Sequence, residues 1–119
     1  LEQGVAFVLS SLALMQGGEI FVPKIASSLV TDLAAVVAPE LPIRNVGIRI
    51  GEKLHEVMIT EDDARHTRDL GSRYVILPEF SWYDADEASG SPVPKEFRYT
   101  SEVNEDWLSV EDLRALANG

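Results

Sequence analysis

The stretch Leu1–Lys24, LEQGVAFVLSSLALMQGGEIFVPK, changes its hydrophobic period across Gly17-Gly18, and that change decides the fold class. Leu1, Val5, Val8, Leu12 and Met15 recur at three- and four-residue steps, which predicts a helix over 1–15. Ala6, Phe7, Leu9, Ala13 and Leu14 fill the other side. A helix apolar nearly all round is expected to be buried nearly all round. No Ser, Thr, Asp or Asn precedes it to cap its free N–H groups, so the expectation is a chain that starts inside something larger, a fragment. Gly17-Gly18 stops the helix. Glu19–Lys24 (EIFVPK) is β-type, with Pro23 at a sheet edge or exit.

The same alternation of short pieces continues outward. Ser27 or Ser28 can cap a second helix to about Val37, with Leu29, Leu33 and Val37 on one face and Pro39 and Pro42 closing it. Arg44–Ile50 alternates as a short strand, and Glu52–Ile59 reads as a helix with Leu54, Val57 and Met58 inward. Thr60–Asp69 is charged, helical or irregular; Tyr74–Leu77 is a third strand; Ser81–Lys95 is loop-like. Ser109 caps a last helix with Glu111 and Asp112 in its first turn and Val110, Leu113 and Leu116 as its buried side. The fold class is α+β: a small mixed helix/short-strand module, one portion spanning 1–119 without internal repeat or long linker. It is not a complete nucleotide-binding fold.

A chain of 119 residues, 45% hydrophobic and 25% charged, has the size and composition of one globular domain. Ten basic against twenty acidic residues give a net charge of -10. Nucleic-acid and anionic-membrane partners require the opposite balance. The excess is carried by residues 60–119, with fourteen acids against six bases; residues 1–59 hold six against four. A solvated face is the ordinary meaning of such an acidic half. Zero cysteines exclude disulfides, a thiolate nucleophile and a zinc site built on sulfur. The apolar run Val5–Met15 is shorter than the about 20 residues that span a bilayer, and no Lys or Arg precedes it as a secretory signal requires. The chain reads as cytoplasmic and soluble.

Catalytic patterns are absent. No G-x-G-x-x-G follows a strand, no P-loop or G-x-S-x-G elbow is present, and no Tyr has a Lys four residues later. No residue is therefore assigned as catalytic or cofactor-binding. For metals, Asp84-Ala-Asp86-Glu87 only faintly resembles a calcium loop, with Ala88 and Ser89 at a ligand and a turn position. Glu52, His55 and Glu56 would share a helical face, but only half of a di-iron pattern is there. A hydrogen-bonding His55 and an exposed His66 are the expectations, with no metal.

Gly47-Ile48-Arg49-Ile50-Gly51-Glu52-Lys53-Leu54-His55-Glu56 stands above this background. An Arg at a strand end can fork two N–H groups onto a phosphate beside a new helix N-terminus, and Glu52 can accept from sugar hydroxyls. A surface Arg–Glu pair beside a turn glycine is the other reading.

With Gly18-Glu-Ile-Phe-Val-Pro-Lys-Ile25, Thr31-Asp-Leu-Ala34, Phe97-Arg-Tyr-Thr-Ser101, Asn104 and Trp107-Leu108, this block resembles the C-terminal part of the inverting UDP-N-acetylglucosamine 4,6-dehydratases. These are extended short-chain dehydrogenases of polysaccharide biosynthesis that lead to pseudaminic acid and related sugars. The resemblance covers nearly the whole chain. It implies that Arg49 and Glu52 contact UDP-sugar, that NADP and the catalytic residues belong to a missing Rossmann half, and that this portion alone is inactive. For the intact lyase it implies oxidation at C4, loss of water across C5 and C6, and return of hydride with inversion at C5. Ile50 stands where the family usually has Pro, and Ala26 where Pro often follows Pro-Lys-Ile. The implied partners are UDP-N-acetylglucosamine and the Rossmann half against the first helix; the uncovered apolar surface of that helix adds a second copy of the chain as a homo-oligomer, with exchange of the helix as one route. A related UDP-sugar epimerase and a free-standing acidic binding domain remain the alternatives. Under the latter, Phe80, Trp82 and Trp107 supply an aromatic contact patch.

Overall fold

The structure is a computed structural model that describes residues 1–117. Asn118 and Gly119, the end of the expected 1–119 portion, lie outside the described residues. The chain forms two compact units, one from residues 1–24 and 58–98 and the other from 25–57 and 99 onward.

In the first unit, α1 (Glu2–Leu14) ends as Met15 turns to extended backbone. Gly17 (φ 133°) and Gly18 (φ 88°) make the reversal that only glycine enters readily. Glu19 fixes it, accepting from the N–H groups of Gln16 (2.8 Å) and Gly17 (2.7 Å). β1 (Ile20–Pro23), β3 (Thr67–Asp69), β4 (Arg73–Ile76) and β5 (Ser91–Pro92) form an antiparallel sheet in the order β1-β4-β3-β5. β1 is thus an edge, where Pro23 was expected. The register sets Val22 opposite Tyr74, Thr67 opposite Ile76 and Asp69 opposite Ser91. Val22, Val75, Leu77, Thr67 and Ala64 are buried there. Between β2 (Val57–Ile59) and β3, the segment expected as helical or irregular holds a one-turn helix, α3 (Glu61–Ala64). Thr60 caps it: its hydroxyl accepts from Asp63 N–H while the Asp63 carboxylate accepts from Thr60 N–H.

The second unit carries α2 (Val30–Val37), β6 (Tyr99–Thr100) and α4 (Val110–Ala117). The two helices pack on each other and bury Leu113, while Val110 is half-buried. Ser109 caps α4 as expected: its hydroxyl accepts from Asp112 N–H and donates to the Asp112 carboxylate. Asn104 and Tyr99 latch the start of this unit. The Tyr99 hydroxyl accepts from Ile25 N–H (2.7 Å) and donates to Ile25 C=O (2.9 Å), and Asn104 Nδ2 donates to Ile25 C=O and Ser27 Oγ.

Several expectations fail for identifiable reasons. α1 is not buried all round: Ser11 alone is buried, and Val8, Leu9 and Leu12 are each more than half exposed. Neither Ser27 nor Ser28 caps α2; Leu29 holds that position without a side-chain bond. Ser27 instead bridges Trp107, donating to Asp106 C=O and accepting from Leu108 N–H. Arg44–Ile50 is irregular and exposed, because its alternating side chains find no paired edge and a strand without a partner is unstable. Glu52–Ile59 is no helix: residues 52–56 are irregular and Val57–Ile59 is β2, in keeping with its β-branched ends. Leu116 is exposed rather than buried. Phe80 and Trp82 stack at 5.3 Å between ring centroids and are exposed.

Candidate functional site: the Arg49–Glu52 turn

The chain reverses twice on glycines between α2 and β2. Gly47 (φ 81°) follows Asn45, whose Oδ1 accepts from Gly47 N–H at 2.9 Å. At the second reversal Glu52 N–H donates to Arg49 C=O at 3.1 Å, with Gly51 at φ 88° as the third residue of the turn. A positive φ at that place is the mark of a type II turn, which demands glycine there and favours Pro at the preceding position, held here by Ile50. The strand end and helix start expected around Arg49 and Glu52 are thus replaced by one tight turn.

The turn brings the two candidate residues together. The Glu52 carboxylate accepts from Arg49 N–H (2.8 Å) and from the Arg49 guanidinium Nη1 (3.3 Å). Both side chains are exposed, Arg49 by 80%. An exposed pair of this kind contributes about 0–1 kcal/mol, so an incoming phosphate can displace Glu52 from the guanidinium at little cost. Arg49 then has free donors in a planar fork, and Glu52 remains tied to the backbone beside it. Glu52, His55 and Glu56 do not share a helical face. Among the described residues no group of three or more His, Asp or Glu is arranged to hold a metal.

Three further features escaped sequence reasoning, all long-range pairings that periodicity does not report. Beside the turn, His55 Nε2 lies 3.3 Å from Glu102 Oε2, and Glu56 and Ser101 exchange two hydrogen bonds. In the first unit, Arg73 donates to Ser10 Oγ and Ser11 Oγ (2.7 Å each) and sits 4.6 Å above the Phe7 ring. His66, expected to be exposed, is half-buried, and its Nε2 lies 2.7 Å from Glu79 Oε1.

The first unit also holds a cavity of about 250 Å³ lined by Glu19, Phe21, Arg73, Val75 and Tyr83, among others. Its Glu19, Arg73 and Tyr83 side chains are already partnered. Burial pushes the Glu19 carboxyl up, but N–H donors at Gln16 and Gly17 and the Tyr83 hydroxyl outweigh it, so Glu19 stays below the usual carboxylate range. Burial and the Glu19 charge hold the Tyr83 phenol above its ordinary value.

Residues 1–78 match the family model described as polysaccharide biosynthesis protein, and the chain belongs to that family. Within it, the chain is similar to the UDP-N-acetylglucosamine 4,6-dehydratases (inverting) of Campylobacter jejuni subsp. jejuni. It is 43% identical to that of serotype O:2 and 41% to that of serotype O:23/36, in each case over 99% of this chain and 38% of the relative. The chain thus spans well under half the length of these relatives. The crystal structure of Pen from Bacillus thuringiensis superposes with a TM-score of 0.76 at 23% identity, over 98% of this chain and 34% of that one, which establishes the fold. No helix among the described residues is long and apolar enough to cross a membrane.

Proposed function

We propose that this chain is the UDP-sugar-binding side of an inverting UDP-N-acetylglucosamine 4,6-dehydratase, a lyase of bacterial polysaccharide or pseudaminic acid biosynthesis. The observation that carries the proposal is the Arg49–Glu52 turn, a displaceable guanidinium and a tethered carboxylate on one exposed reversal. The 43% identity to a dehydratase of that activity supports it. Arg49 binds the diphosphate through its two-pronged donor edge, and Glu52 accepts from hydroxyls of the ribose or the hexose. Their part is to bind and orient; no proton or bond changes hands on either residue.

NADP does not fit the residues present. The sequence has no glycine-rich phosphate loop for its pyrophosphate, and the Glu19 and Arg73 side chains at the cavity of the first unit are already hydrogen-bonded within the chain. The cofactor and the reacting groups are assigned to the additional length that the relatives possess. The exposed apolar face of α1 supports a packing surface for that part, with Val8, Leu9 and Leu12 as its contacts. In this chain alone the same face favours self-association, including exchange of α1 between copies.

Product analysis tests the reading. The intact enzyme, given UDP-N-acetylglucosamine, should release a 4-keto-6-deoxy sugar inverted at C5, identified by NMR. A product that retains its C6 hydroxyl would identify an epimerase instead.

A further inference from the structure

Between the end of α2 at Val37 and the start of β2 at Val57 the chain has no helix or strand, and residues 39–56 are exposed without exception. The hydrogen bonds of residues 39–54 are local: Leu41 to Ala38, Gly47 to Asn45, and the Arg49–Glu52 pair with itself. Leu41, Ile43, Val46, Ile48, Ile50 and Leu54 are all more than half exposed, so apolar packing does not hold this arm.

One fastening lies beside the turn. Glu56 N–H donates to Ser101 Oγ at 3.1 Å, and Ser101 N–H returns a bond to Glu56 C=O at 2.9 Å. Next to them His55 Nε2 faces Glu102 Oε2 at 3.3 Å. Three residues of chain span at most about 11 Å, so fixing His55 confines Glu52 to a short radius. Both sides of the fastening belong to the second unit. From this geometry we infer that His55, Ser101 and Glu102 are positioning residues: they form a clasp that holds the Arg49–Glu52 turn ready for a nucleoside diphosphate. The inference rests on the reading of that turn as the UDP-sugar site. A turn held in place binds at a lower ordering cost than one on a free arm.

The test is titration calorimetry of the intact enzyme with UDP and, separately, with NADP. Ser101→Ala should weaken UDP binding by roughly threefold to tenfold, the worth of one hydrogen bond, and Glu102→Ala by roughly twofold to fivefold, the worth of an exposed charged pair, with NADP binding unchanged. Glu102→Gln keeps an acceptor for His55 and should restore UDP affinity to within about twofold of the parent. In an Arg49→Ala background, Glu102→Ala should add no further loss, because the clasp acts through the turn. Parental UDP affinity in Ser101→Ala and Glu102→Ala, with Arg49→Ala weakened, overturns the clasp and leaves the site standing. Parental affinity in Arg49→Ala overturns the site reading and the clasp with it. Loss of both ligands in Glu102→Ala without rescue by Glu102→Gln marks a folding effect and also overturns the clasp.

Discussion

Gly90 is the position where one added methyl group should do the most damage. Its φ is +93°, in the region that L side chains rarely adopt, and a Cβ built there lies 2.7 Å from the Asp69 carbonyl oxygen and 2.7 Å from Leu70 Cδ2. The Leu70 methyl can rotate away. The Asp69 carbonyl cannot, because Asp69 is held in β3 opposite Tyr74 on one side and Ser91 on the other. Gly90→Ala therefore meets two costs: about 1–2 kcal/mol for the left-handed backbone and about 1–3 kcal/mol for overpacking against a fixed group. Reduced freedom of the unfolded chain returns about 0.4–1 kcal/mol. The net expectation is a loss of about 1–4.6 kcal/mol. Gly71 is the control: its φ is +85°, but nothing lies within 4 Å of the place a methyl group would take, so Gly71→Ala carries the backbone cost alone. Urea unfolding of both variants, followed by circular dichroism, should show Gly90→Ala less stable than Gly71→Ala by at least about 1 kcal/mol. Equal stabilities would refute the close approach of β5 to β3.

Arg73→Met should free α1, since it removes the donors to Ser10 and Ser11 but keeps a stem of similar length; amide exchange over residues 5–14 should speed up by about tenfold, while that of β4 changes little. Asp69 is held below the usual carboxylate range by its hydrogen bond from Lys24, and Lys24 is raised because Asp69 outweighs its burial. A depressed carboxyl contributes stability that is present above its unfolded value and lost as pH falls through its folded one, so Asp69→Asn should flatten the acid limb of a stability–pH curve. Both side chains are about one-third exposed, which limits the effect to about 0.5–1 kcal/mol. Ile50→Pro should tighten the Arg49–Glu52 turn, because Pro pre-sets the backbone of the second position of a type II turn and the Ile50 side chain is fully exposed; UDP affinity of the intact enzyme should rise by roughly twofold to fivefold, the size of a proline gain, and a fall would show that the Ile50 N–H is needed.

Local chemistry made some of this structure readable in advance and long-range pairing hid the rest. The period change at Gly17-Gly18 placed α1 and β1 within a residue or two, Pro23 marked an edge strand, and Ser109 with Asp112 announced α4. These are signals that a few neighbouring residues carry by themselves. The segment 44–59 misled because its alternation and its apolar spacing are real, yet no edge pairs with the first and no cap starts the second. Gly47, read as a position inside a strand, makes a reversal of its own, while Gly51 makes the turn expected after Arg49. Arg49 and Glu52 were singled out from the block that carries them, and their contact matches the reading of a surface Arg–Glu pair beside a turn glycine. The His55–Glu102, Arg73–Ser11 and Tyr99–Ile25 pairings join positions 47, 62 and 74 residues apart, a separation to which a periodic pattern is blind.

The central claim is that Arg49 holds the nucleotide. Its most direct measurement is the affinity of the intact enzyme for UDP-N-acetylglucosamine in the parent and in Arg49→Ala, with NADP affinity read on the same samples. Loss of a charged, forked contact should weaken UDP-sugar binding by roughly tenfold to a hundredfold and leave NADP unmoved. Equal UDP-sugar affinity in the two proteins would contradict the account.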